Sequence, residues 1–213
     1  MPNKLPIYYA SINEDLEGQD LKLQGIQNIA LVESPAMLTD WLMFEEHKNT
    51  ELKMAINEEQ RIITAPVIVA DLPIYRKVED PVGSGIFKEF YVVYTKEANM
   101  QILQKYMRDG NQNKNKVTHD TTNLTKGVNV FEVFISDNSR GISAPKGLEN
   151  LPDGTIFCSM KISNDDVWNM AKKGLVKGIS LEGYFDLELD ADLTDSEVEA
   201  IVESIIQAGI CKK

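Results

Sequence analysis

Residues Gly174–Asp186 read GLVKGISLEGYFD. One hydroxyl, Ser180, sits inside a run that otherwise has the composition of a buried strand. Gly178 and Gly183 flank it and permit close approach of backbone or substrate. A serine in a strand is more often an inert hydroxyl that hydrogen-bonds locally. The setting gives this one more weight. A well-punctuated helix precedes it, and His119, one of only two histidines, lies earlier in a β-prone segment of its own.

Outward from that stretch, Ser163 or Asn164 caps the preceding helix. Asp165 and Asp166 complement its positive end, Lys172 and Lys173 its negative end, and Gly174 stops it. Thr155–Ser163 reads as a strand, and Asp137–Asp153, rich in Gly, Pro, Asn and Ser, as a long surface excursion of the functional or mobile kind. A second helix starts at Thr95 and ends at Gly110, with Met100, Leu103, Tyr106 and Met107 at helical spacing. Leu5–Ala10 is a short apolar segment. Gly25–Val32 reads as a strand stopped by Glu33-Ser34-Pro35. Arg61–Ala70 is another, with Pro66 marking a bulge or an edge. Ile86–Tyr94 offers Phe87, Phe90 and Tyr91 to the core. Lys116–Thr121 and Val128–Ser136 suggest a hairpin around Asn123–Gly127.

Trp41–Phe44 is a small apolar cluster beside charged residues, among which His47 reads as a surface group. A last helix opens on the capping box Thr194–Glu197 and carries one stripe, Val198, Ile201, Val202, Ile205 and Ile206, before Gly209. Many short strands with three separated helices predict a mainly β fold with peripheral helices (α+β), a barrel or a sandwich. A doubly wound sheet needs strict strand–helix alternation, which the first ninety residues lack.

The 213 residues suffice for one good core or two small ones. No apolar run approaches the roughly 18–20 residues that span a bilayer, and the N-terminus lacks a secretion signal's basic start and apolar block. A cytosolic protein without membrane partners is expected. A net charge of −11 argues against nucleic acid as a partner. Cys158 and Cys211 cannot make a disulfide framework and form a poor metal set with the histidines. With no glycine-rich phosphate cradle, no cofactor and no metal are expected.

A serine hydroxyl is a poor nucleophile until a base takes its proton, and histidine is the usual base because its pKa lies near neutrality. His119 and Ser180 are the candidates, although a lone strand histidine is more often structural. An α/β-hydrolase elbow needs G-x-S-x-G and a later histidine. Here the glycine falls one place late and no histidine follows Ser180. Cys158, within Ile156-Phe157-Cys158, reads as a small buried hydrophobe rather than a thiol nucleophile. A third group should orient the histidine. Glu132 lies across the expected hairpin from His119, and Glu182 shares the strand face of Ser180. Glu132 is the first choice and Glu182 the runner-up, with the one-residue register of the hairpin undecided. Asp120 would point to the opposite face.

Taken together, ALVESPAM (Ala30–Met37), RIITAPVIVADLPIYR (Arg61–Arg76), EFYVVYTKEANMQILQKYM (Glu89–Met107), VTHD (Val117–Asp120) and GTIFCSMKISNDDVWNMAKKGLVKGISLEGYFD (Gly154–Asp186) resemble the phage prohead proteases. The branch in PBSX-like prophages is the nearest in pattern, and the family is similar to the herpesvirus assemblins. The resemblance implies a herpesvirus-protease-like β-barrel surrounded by helices. It covers roughly Gly25 to Asp186, and the chain is expected to divide into an N-terminal arm with strand and turn (1–50), a protease barrel (51–190) and a C-terminal amphipathic helix (191–213).

The resemblance also implies a serine endopeptidase with His119 as general base and Ser180 as nucleophile. Its substrate would be the scaffold segment of the major capsid protein, and the protease itself, cut inside the procapsid in the bacterial host cytoplasm. Assemblins use a second histidine as third member. None follows Ser180 here, so an acid must serve, and Glu132 in VNVFEVFIS matches a Glu that the family tends to carry. Self-association within the procapsid is expected, with activity latent until assembly. A catalytically inactive assembly or scaffold component with the same barrel is the competing expectation, and an unrelated β-barrel binding module is a third.

Overall fold

The computed structural model describes residues 5–13, 24–32, 54–113, 115–117 and 127–190. The expected turn at Glu33-Ser34-Pro35, the Trp41–Phe44 cluster, His47, His119, Asp120 and the C-terminal helix lie outside the described residues.

Gly25–Val32 is a strand from end to end, β2, after β1 (Ile7–Ser11). Gly25 enters β2 at φ +84°, a conformation that side-chain-bearing residues rarely adopt. Next come β3 (Ala55–Asn57), β4 (Ile62–Ile68), β5 (Ile74–Glu79) and β6 (Phe87–Val93). Helix α1 (Lys96–Arg108) is capped by Thr95, whose hydroxyl accepts from the Ala98 N–H. It ends before Gly110 at φ +70°. β7 (Asn115–Val117), β8 (Val128–Ile135) and β9 (Ile156–Ile162) follow. Asn164 caps α2 (Asp165–Lys172) by accepting from the Val167 N–H, and β10 (Gly178–Tyr184) and β11 (Asp186–Leu189) complete the described elements.

Hydrogen bonding groups the described strands into three sheets, in the orders β11-β1-β6-β5, β10-β2-β7 and β3-β4-β9-β8. The protein is therefore mainly β with two helices among the described residues. Ile26, Ile29 and Leu31 from β2, Ile63 from β4 and Ile156 from β9 meet in one core with Ile102 and Tyr106 of α1. Burying each such aliphatic side chain stabilises by roughly 1.5–3 kcal/mol. β1 and β2, both in the expected arm, pair with β11, β6 and β10 and contribute to this same core.

Two expectations change. Among the described residues, β7 does not pair with β8 as a hairpin. It runs parallel to β2, while β8 pairs antiparallel with β9. β7 does pack beside β8. Phe87 is 54% exposed rather than in the core, because β6 begins on a projecting hairpin; Phe90 is half-buried against the core. The Asp137–Asp153 excursion is tied down at both ends. Lys96, the first residue of α1, binds Asp137 at 3.1 Å and Asp153 at 2.6 Å. Pro66 behaves as expected. The β4–β9 register shifts between Pro66 and Ile68, beyond the reach of β3, which pairs only with Ile62–Thr64.

No helix among the described residues is long and apolar enough to cross a membrane.

Candidate functional site

Ser180 is the third residue of β10, where the ladder to β2 is regular: Ile179 faces Leu31, Ser180 faces Ala30 and Glu182 faces Asn28. Side chains alternate across a strand, so Ile179 and Leu181 take the core side and Ser180 and Glu182 the other. Ser180 and Ala30 are nonetheless both 0% exposed, and Ser180 Oγ has no hydrogen-bond partner among the described residues. A buried hydroxyl without a partner costs about 1–3 kcal/mol relative to a satisfied one, so it is an uncommon feature. The hydroxyl is closed to a substrate carbonyl in this arrangement.

Ala30 is also in register with Lys116 of the parallel strand β7. Ser180, Ala30 and Lys116 thus form one row across three strands. At about 4.8 Å per strand spacing, the Cα atoms of Ser180 and Lys116 lie roughly 10 Å apart. His119 follows Lys116 by three peptide units, at most about 11 Å of chain. Its own position is outside the described residues.

The two candidate acids occupy different surroundings. Glu182 accepts a 3.0 Å bond from Asn28 Nδ2 on the face of Ser180. Glu132 belongs to β8, opposite Ser159 of β9, whose hydroxyl donates to Glu132 Oε2 at 2.8 Å. Ser159 Oγ lies 2.9 Å from Thr64 Oγ1 on β4. Lys116 and Val117 pair with β2 rather than with β8, and the part of the expected hairpin that carries His119 lies outside the described residues. What remains is the packing of β8 beside β7. Local sequence gave no sign of the Thr64–Ser159–Glu132 row, because it is made by three strands far apart in the chain.

Cys158 is fully buried in the core. Burial, reinforced by the charge of Glu132, pushes its thiol well above the ordinary range, away from nucleophilic chemistry. Among the described residues no three His, Cys, Asp or Glu side chains group as a metal site.

A cleft of about 760 Å³ begins on β10 at Leu181, the residue after Ser180, and is lined by β2 and β10 together with β5, β6 and β11. Glu182 and Asn28 line it, and Arg76 faces them from β5. Burial pushes the Arg76 guanidinium below its ordinary value and the Tyr94 hydroxyl above its own, each effect softened by the other group.

Compared with protein-family models, with curated proteins and with solved structures, the chain matches none.

Proposed function

We propose that the chain is a serine endopeptidase that processes capsid or scaffold protein, and itself, during phage head maturation in the bacterial cytoplasm. The observation that carries this reading is the row Ser180–Ala30–Lys116 together with the buried, unpartnered Ser180 hydroxyl. It leaves a nucleophile candidate without a local structural role, on the sheet whose β7 strand leads to the candidate base, His119. In the mechanism, His119 takes the proton as Ser180 attacks the peptide carbonyl. His119 then protonates the leaving amine, and water releases the acyl-enzyme by the reverse route. Glu132 or Glu182 stabilises the imidazolium.

The assemblin-like barrel is part of the same proposal. It is supported by β10 packing against β4 and β7 against β8, contacts that would join the β10-β2-β7 sheet to the β3-β4-β9-β8 sheet on both sides.

The closed state of Ser180 favours a second reading, a catalytically inactive assembly component that keeps the same fold. In the protease reading, that closure is the latent state, relieved when assembly concentrates the protein. Co-expression with the cognate capsid protein separates the two. Trimming by the wild type, abolished in both Ser180→Ala and His119→Ala, supports the protease. Equal trimming in all three, or none in any, removes the catalytic assignment.

A further inference from the structure

We infer that the cleft beside Ser180 is a binding site for an extended polypeptide, taking one large uncharged apolar side chain; as a substrate subsite this rests on the protease reading above. The cleft continues along the strand that carries Ser180. Leu181, Glu182, Gly183 and Tyr184 all line it, starting at the very next residue. Between Glu182 and Gly183 the register with β2 shifts, an irregularity of the kind that re-aims side chains beside binding sites.

Its chemistry selects the occupant. Phe90, Val92, Leu181 and Phe185 supply apolar walls, and Phe185 meets Tyr94 edge-on at 5.3 Å. Three large side chains are left in water at the mouth: Tyr184 is 67% exposed, Leu187 42% and Val78 41%. The one cation and the one anion among the lining residues already have partners, Arg76 the Tyr75 carbonyl and Glu182 the Asn28 amide, so an uncharged side chain fits the apolar walls without stranding a charge. The amides of Gln27 and Asn28, which donate to the Gln24 carbonyl and to Glu182, put polar groups beside the apolar walls, a mix that suits a peptide's backbone and side chain together. At about 760 Å³ the cleft has room for a few residues, not a single small ion.

The test uses the full chain carrying Ser180→Ala, so that nothing bound is cut. Two decapeptides of alternating Gly and Ser are titrated, one with a central Phe and one with Ala in its place, and backbone amide shifts are followed by NMR. The Phe peptide is expected to shift the amides of Val78, Gly183 and Leu187 saturably, with a Kd about tenfold or more below that of the Ala peptide. Val78→Trp, which narrows the mouth from a partly exposed position, is expected to abolish that preference. Equal binding of the two peptides, shifts elsewhere, no shift at all, or full retention in Val78→Trp would each overturn the inference. Binding is read in a protein that cannot cleave through Ser180, so the protease reading and the peptide site fail separately.

Discussion

Ser159 donates its hydroxyl proton to Glu132 across the β8–β9 ladder at 2.8 Å, and this fixes the direction of the bond behind it. A hydroxyl has one proton, so the 2.9 Å contact with Thr64 has Thr64 as donor and Ser159 as acceptor. The row therefore runs from Thr64 through Ser159 to Glu132, each step in register across β4, β9 and β8. It holds one oxygen of an otherwise exposed carboxylate in place.

Ser159→Ala breaks both bonds at a site only 2% exposed. It should destabilise the protein by about 1–2 kcal/mol, a fall in Tm of roughly 2–4 °C per kcal/mol for a chain of this size. Adding Thr64→Val removes the stranded hydroxyl and should recover part of the loss. Thermal unfolding followed by circular dichroism reads both. A double variant that loses the two single losses in full would show that the hydroxyls act independently.

Tyr106 presents the opposite situation. Its ring is fully buried against the core, and its hydroxyl has no hydrogen-bond partner among the described residues. Burial pushes that hydroxyl far above its ordinary pKa, with the Cys158 thiol adding to the effect. Tyr106→Phe removes the unpaired group while keeping the ring, and should raise stability by about 1 kcal/mol. A lower denaturation midpoint in urea, at unchanged slope, would mean that the hydroxyl has a partner after all.

The elements closed by local chemistry could be read from sequence. Thr95 and Gly110 bound α1, Asn164 and Gly174 bound α2, and the apolar spacing of Gly25–Val32 gives β2 to the residue. Pairing over long separations could not be read. Nothing in Asn115–Val117 states that it lies parallel to β2, and the nearby β8 made a hairpin the natural expectation. β11 was missed because its four residues are all exposed and give no buried face to detect. The site divides along the same line. Glu182 shares a strand with Ser180, so two residues of separation were enough to place them on one face. Glu132 depended on the pairing of β8 with the segment of His119, which lies outside the described residues; the described partner of β8 is β9.

Gly183 ties the cleft to the fold. A Cβ built there would lie 2.5 Å from the Gly25 carbonyl oxygen and 3.1 Å from the Phe185 ring. The first contact is with backbone, which cannot swing aside as a side chain can. Gly183→Ala must therefore open the end of the β2–β10 ladder, at a cost of about 1–3 kcal/mol. Amide hydrogen exchange should show weakened protection at Ile26 and Tyr184 with α1 unaffected. Unchanged exchange along β2 would show that the close approach of these strands is not required.

Acid should weaken the Lys96 staple. Asp137 accepts from the Ser139 hydroxyl at 2.6 Å, from Arg140 Nε at 2.7 Å and from Lys96 at 3.1 Å. These bonds, the Ser139 hydroxyl foremost, hold its carboxyl well below the ordinary range. Asp153 is also held low, first by Lys96 and then by the Asn138 N–H. A carboxyl with a depressed folded-state pKa contributes stability that is fully present above its unfolded value, near pH 3.9. That contribution is lost as pH falls from there through the folded value. The wild type should therefore lose Tm progressively below about pH 4, and Asp137→Asn should start lower in Tm at pH 7 but fall less steeply in acid. Melting curves from pH 2 to 7 decide it. Parallel pH dependences in the two proteins would place the acid-sensitive groups elsewhere in the chain.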